Sequence, residues 1–196
     1  MRIARVVFVG AFIGGAATSA QAANLIVNGG FEAPVVAAGT YSLFSVGQAF
    51  YGWTVTGDSG NVALTSTTFT QNSFVFPAHG GHQWLDLTGT SNTPTGVRQT
   101  VATTVGSQYR LAFWVGNIYN PNGIFGTSST VNVFANGQLL TSVLAIGGSG
   151  SNTQKWQGFT ATFTATASST TISFINADPG YDTQNGLDDV SLALVP

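Results

Sequence analysis

Cysteine is absent from the 196 residues, so disulfides and thiol chemistry are both excluded and stability must come from packing or a bound metal. Charge is scarce as well: Asp, Glu, Lys and Arg make up 6% of the chain, against about 25% in an ordinary soluble domain. The surface must therefore be covered by Thr, Ser, Asn, Gln and Gly, which suits neutral partners. Beyond residue 23 only three bases remain, Arg98, Arg110 and Lys155, against seven acids, a net charge of −4. Three scattered bases cannot neutralise a phosphate backbone, which excludes nucleic acid as a partner and disfavours an anionic membrane surface. Long apolar runs are missing too. The run Val6 to Ala17 spans 12 residues, short of the roughly 20 that a helix needs to cross a bilayer, so no membrane span is expected in the mature chain.

What the N-terminus does contain is an ordered set of signals. Arg2 and Arg5 precede the apolar run, and Thr18-Ser19-Ala20-Gln21-Ala22 follows it with an A-x-A pattern. This is the order of a removable secretory signal, assigned to residues 1–23, and it makes the mature protein secreted or displayed at the cell surface. Residues 24–194 are then one domain. No stretch of ten or more residues there repeats its apolar positions at three and four, so no helix is predicted. Period two is widespread. Phe159, Ala161, Phe163 and Ala165 alternate with Thr160, Thr162 and Thr164, the pattern of a half-buried strand with a threonine outer face. Similar segments run over 41–46, 53–56, 83–87, 97–102, 109–115, 130–135, 170–175 and 187–194, and Asn136-Gly137 is a two-residue hairpin signal. Roughly eight to ten antiparallel strands without helices predict an all-β jelly-roll β-sandwich.

Candidate chemistry concentrates in three places. Glu32 closes the opening motif, and four further acids fall within Asp178 to Asp189 (DPGYDTQNGLDD) with no base beside them. Such acids suit Ca²⁺, a hard cation that takes six to eight oxygens; if the first and last strands are neighbours, Glu32 and Asp188 would share one ion. The alternative is a solvated loop whose Asp and Asn residues make turns. Trp84, Trp114 and Phe134 alternate away from the core-facing residues of their strands, whereas Trp53 and Trp156 belong to the core or its edge. Exposed aromatic faces stack on sugars; the alternative is a second layer of loops that covers them. His79-Gly80-Gly81-His82 is an H-x-x-H with Asp86 four residues beyond. Two glycines make it a loop, so His79 and His82 are read as lining a groove, with a metal role the lesser alternative. Nothing places two carboxylates at the separation that glycoside hydrolysis needs, and G-x-S-x-G, phosphate-loop and dinucleotide motifs are absent.

NLIVNGGFE at residues 24–32, Gly52-Trp53, QWLDLTG at 83–89, VRQTV, GSQYRLAFWV at 106–115, W-x-x-F-T at 156–160 and the closing LDDVSL together resemble galactose-binding-like jelly rolls. The chain is similar to the plant cell-wall family of unknown function numbered 642 and its bacterial exported relatives, and more distantly to xylan- and glucan-binding modules. The resemblance implies a structural calcium held by Glu32 and Asp188. It also implies a non-catalytic domain that contacts neutral extracellular polysaccharide through Trp84, Trp114, Phe134, His79 and His82. A structural or adhesive matrix protein is the alternative, and a polysaccharide hydrolase using the region from His79 to Asp86 is a third. In the bacterial relatives V-P often leads into an exosortase-read sorting tail, and Val195-Pro196 stand where such a trimmed tail would begin.

Overall fold

The computed structural model describes residues 23–148, 150–180 and 182–196. The signal-peptide expectation concerns residues 1–22, which lie outside the described ones. Among the described residues fourteen strands follow one another: β1 (Tyr41–Ser45), β2 (Ala49–Phe50), β3 (Trp53–Gly57), β4 (Asn61–Ser66), β5 (Thr70–Gln71), β6 (Phe74–Val75), β7 (Gln83–Asp86), β8 (Thr95–Ala102), β9 (Gln108–Asn117), β10 (Ser129–Ala135), β11 (Gln138–Ala145), β12 (Lys155–Thr164), β13 (Ser169–Asn176) and β14 (Gly186–Leu194). They form two six-stranded antiparallel sheets, β1-β4-β7-β14-β9-β12 and β11-β10-β13-β8-β3-β2, plus the small β5–β6 hairpin. This is the all-β sandwich that the alternation predicts. Three additional strands, β2, β5 and β6, are two residues long and carry no readable period. Another, β4, is buried from Val62 to Ser66 on both faces, which erases the alternation that marks a half-buried strand.

Between the sheets, residues of one parity from each strand interdigitate. In β10 Val131, Val133 and Ala135 face inward, and in β9 Leu111, Phe113 and Val115 do; they meet Ile172 and Phe174 of β13 and Leu187, Val190 and Leu192 of β14. Trp53, 1% exposed, stacks on Phe31 at 5.4 Å and donates its indole N–H to the Asn28 carbonyl at 3.0 Å. The β10–β11 hairpin turns at Asn136 and Gly137, whose φ angles of 48° and 77° are those of a type I′ turn. Residues 24–29 run beside β14. The Leu25 N–H donates to the Leu192 carbonyl at 2.8 Å and the Val190 N–H to the Gly29 carbonyl at 2.9 Å, so residues 24–29 and the last strand are neighbours.

A second apolar layer lies outside the sheet that contains β7. Phe76, Trp84, Ile118 and Phe125 form a separate buried cluster, with Phe69, Phe74 and Trp156 packed against it. Residues 67–78, which include the β5–β6 hairpin, and the 118–128 loop supply the cover. Trp156 can lie close to the sheet because β9 and β14 carry glycine beneath it. A Cβ on Gly116 would stand 2.9 Å from the Trp156 ring, and one on Gly186 would stand 3.0 Å from it. Substituting Gly116→Ala therefore forces the indole out of place. It is expected to cost about 1–3 kcal/mol in urea unfolding, whereas Gly180→Ala, with nothing within 4 Å, should change stability by less than about 0.5 kcal/mol. Equal effects from the two substitutions would contradict this packing.

Candidate active site

The cover does not seal the sheet completely. Between it and strands β1, β4 and β7 lies a cavity of about 240 Å³, walled by Tyr41, Phe69, Phe76, Trp84 and Phe125 and edged by Thr65, Gln71, Thr90, Ile124 and Thr183. Alternation in β7 sets the floor. Leu85 points into the main core, so Trp84 and Asp86 point outward to this second layer. Trp84 is fixed by its indole N–H donating to the Phe76 carbonyl at 3.0 Å and by stacking on the Phe76 ring at 6.2 Å. Gly89, at φ +52°, lets the chain turn there, because a Cβ would stand 2.3 Å from the Asn61 carbonyl oxygen.

Asp86 is the ionisable group of the cavity. Its Oδ1 accepts from the Thr88 hydroxyl at 2.7 Å, the Thr88 amide at 3.0 Å and the Asn185 amide at 3.2 Å. These bonds, with the Gly89 amide also close by, hold the carboxyl in place. Burial nonetheless dominates and raises Asp86 to about 6, against the hydrogen bonds that favour its charged form. Behind it, Asp182 is raised to about 7, by burial first and also by Asp86. Asp178 is raised to about 8, by burial and then by the charge of Asp182. Thr130 donates its amide to Asp178 Oδ1, while Asp178 Oδ2 and Asn185 Oδ1 are buried without partners. Among the described residues, no Lys or Arg makes an ion pair with these three acids. The sequence brings Asp86 forward as the carboxylate of the His79–Asp86 region, in the metal and hydrolase alternatives, and does not by its motifs single out Tyr41, Phe69, Phe76 or Phe125. The signal was there: three phenylalanines within residues 69–76 are too many for an uncovered turn.

The acids at the chain's two ends meet around the His79–Gln83 stretch. Asp188 Oδ2 accepts the amides of His79 at 2.9 Å and Gly80 at 3.2 Å, and Glu32 Oε1 accepts those of His82 at 2.7 Å and Gln83 at 3.0 Å. The two glycines have a steric reason: a Cβ on Gly80 would stand 2.6 Å from Asp189 Oδ2, and one on Gly81 would stand 2.1 Å from Glu32 Oε1. A bulge in β14 between Asp188 and Ser191, with Asp189 at φ 46°, brings Asp189 beside Asp188. Burial, and then Asp189, raise Asp188 to about 8. Among the described residues, no three or more His, Asp or Glu side chains are arranged to hold a metal. Glu32 and Asp188 both accept backbone amides of this stretch, and among the described residues neither has a Lys or Arg ion partner, so their oxygens are of the kind a hard cation takes.

The remaining candidates lie apart. His79 stacks on Trp114 at 3.8 Å and its Nδ1 sits 2.6 Å from Asp189 Oδ2, while His82 is exposed. The Trp114 indole lies over Gly158, whose Cβ would stand 3.3 Å from it. Trp84 is covered by the second layer at 1% exposure. Phe134 is half-buried on the outer side of the other sheet, so it shares no face with the two tryptophans.

Fold and site together define an all-β sandwich with an aromatic cavity on the outer side of one sheet. The model of the HpiC1-like family, described as HpiC1 cyclase, matches residues 22–193, and the chain belongs to that family. Among solved structures it is similar to the Stig cyclase FisC from Fischerella sp. TAU in complex with (3Z)-3-(1-methyl-2-pyrrolidinylidene)-3H-indole, at 19% identity over 90% of this chain and 99% of that one, with a TM-score of 0.61. A cyclase from the same organism in complex with 4-(1H-indol-3-yl)butan-2-one gives 17% identity over 86% and 95%, with a TM-score of 0.57. The xylan-binding domain from Paenibacillus barcinonensis Xyn10C gives 17% identity over 82% and 98%, with a TM-score of 0.46. No curated protein matches. Two expectations change. A non-catalytic domain is overturned by membership of a cyclase family, which points to an enzyme. The jelly roll stands, but the family shown is the HpiC1-like one, and no match ties the chain to the plant cell-wall family.

The buried acids give a sign for pH dependence. Asp86, Asp178, Asp182 and Asp188 are all raised from an ordinary value near 3.8, so the folded protein holds more protons than the unfolded chain between about pH 4 and 8. Stability contributed by these protonated groups is present at the acid end and is lost as pH rises through 6 to 8. In calcium-free buffer the urea midpoint should fall steadily from pH 4.5 to pH 8, and Asp178→Asn should flatten the upper part of that fall. A midpoint that rises with pH over this range would contradict the burial of these carboxyls.

Proposed function

We propose that this chain is an acid-promoted cyclase for an apolar, aromatic-bearing small molecule, with Asp86 as the proton donor. The observation that carries the reading is a hydrogen-bonded carboxyl, raised to about 6, on the floor of a cavity walled by five aromatic rings. A general acid works best with a pKa near the operating pH, and burial supplies that here. In the reaction the Asp86 O–H bond breaks and its proton forms a C–H bond with a substrate π bond, leaving a carbocation. The faces of Tyr41, Phe69, Phe76, Trp84 and Phe125 stabilise that cation and keep out the water that would trap it. A second π bond of the same molecule attacks the cation, a ring C–C bond forms, and a neighbouring C–H returns its proton to the Asp86 carboxylate. The product is an isomer of the substrate, and no oxidant or reductant is consumed. The indole-containing ligands bound in the two similar cyclase structures support an indole-bearing substrate class.

Glu32 and Asp188 would hold a structural Ca²⁺, fastening the N-terminal segment and β14 to the His79–Gln83 stretch. Its contribution is to stability, and no reaction step passes through it. Export directed by residues 1–23 belongs to the same reading. Contact with neutral polysaccharide is a second reading, favoured by an outer surface in which exposed Thr100, Thr160, Thr162 and Thr164 replace charged residues.

Calorimetric titration with 4-(1H-indol-3-yl)butan-2-one should show saturable binding that is weakened at least tenfold by Trp84→Ala. Turnover of indole-bearing alkenes in D₂O should place deuterium in the cyclised product, and Asp86→Asn should lower kcat by about 10²–10⁴ with little change in KM. An Asp86→Asn protein that turns over normally would remove the assigned role. The calcium assignment is checked separately: excess calcium should raise the melting temperature of the wild type by several degrees and leave that of Glu32→Ala unmoved.

A further inference from the structure

The 118–128 loop forms one wall of the cavity through Ile124 and Phe125, and three consecutive residues hold it. At its root, the Ile118 amide donates to Gln184 Oε1 at 2.9 Å. At its tip, the Ile124 carbonyl accepts from the Thr183 amide at 2.9 Å and the Thr183 hydroxyl at 2.6 Å. On its return, the buried Asp182 carboxyl lies against the backbone amides of Ser128 and Thr127, which favour its charged form, while its Oδ1 accepts the Gln184 amide at 3.4 Å. Asp182 is 1% exposed, and it sits where a Cβ of Gly126 would be, 1.9 Å from that position, with Gly126 at φ +63°. The loop also closes on itself, Asn120 donating its amide to the Gly126 carbonyl at 2.6 Å. It is therefore a preformed unit attached to the sandwich through Asp182, Thr183 and Gln184, helped by Asn117 Nδ2 of β9 donating to the Thr127 carbonyl at 3.4 Å and by the packing of Phe125 on Phe74 and Phe76 at 5.3 and 5.1 Å. The next residue of the same segment, Asn185, donates its amide to Asp86.

We infer that Asp182 is a positioning residue of this cavity: its carboxyl latches the wall that carries Ile124 and Phe125, in the same segment whose Asn185 amide orients Asp86. The assignment of that cavity to a ligand rests on the function proposed above; the latch itself does not. The carboxyl's contacts with these backbone amides converge on a turn that admits only glycine at its closest point. Losing them frees the wall while the two sheets remain intact, because none of the strand pairings includes residues 118–128.

Hydrogen exchange followed by NMR tests this in the full chain. Asp182→Ala should speed exchange of the amides of residues 124–128 by about tenfold or more and leave β8, β9 and β13 unchanged. Asp182→Asn, which keeps one acceptor oxygen, should give a smaller effect. Gly126→Ala should reproduce the loss by displacing the carboxyl from the other side. In the same variants the dissociation constant for 4-(1H-indol-3-yl)butan-2-one should rise about tenfold. Unchanged exchange at 124–128, or faster exchange spread evenly over both sheets, would overturn the latch. Local release in the variants without any binding of the indole by the wild type would leave the latch standing and sink the proposed function instead. If Asp182→Ala does not fold, Thr183→Val, which removes only the hydroxyl bond to Ile124, decides by the same exchange at residues 124–126.

Discussion

Trp84 is the residue on which the functional half of the molecule depends. It projects from β7 on the side away from the main core, yet it is 1% exposed, because Phe76 stacks on it and Trp156 meets it edge-on at 6.0 Å. An indole of that size on the outer face of a sheet has to be covered, and covering it recruits residues 67–78, the 118–128 loop and the glycines under Trp156. The cavity is the part of that face which the cover leaves open. A sandwich that buries only its inner faces would have no such cavity.

Scarcity of charge shapes the chemistry in the same region. With three bases beyond residue 23, the acids that the fold buries near the cavity have no cation to pair with. Burial then favours their neutral forms, and each charge that does form raises its neighbours further. Asp86 is consequently a carboxyl that faces an aromatic cavity and holds its proton up to about pH 6, the property on which the proposed ring closure rests. A few residues further along β14 the same scarcity leaves Glu32, Asp188 and Asp189 with one imidazole among them. Backbone amides of the His79–Gln83 stretch take the place that bases would occupy.

Much of the sandwich was legible because period two survives wherever a strand has one wet face. The threonine rows of β12, the Asn136-Gly137 turn and the inward parity of β9 and β10 all follow from alternation and turn chemistry. β4 was not legible, since a strand buried on both sides shows an apolar run and no period. Trp84 and Trp114 were read correctly as pointing off the core, but alternation says only which side of a sheet a residue takes. It cannot tell whether a second layer, contributed by residues 8 to 41 positions away in sequence such as Phe76 and Phe125, will cover that side.

From its sequence alone this protein was determined to be a cysteine-free, charge-poor all-β sandwich whose two ends carry acids without bases. Those properties follow from composition and from contacts between near neighbours in the chain. Only the tertiary structure decided that a cavity exists, that Asp86 is its ionisable group, and that Asp182 holds one of its walls. Each of these requires segments distant in the chain, residues 67–78, 118–128 and 182–185, to meet over the outer face of one sheet. Such a meeting is set by shape and packing in three dimensions, and leaves no local period in the sequence to read.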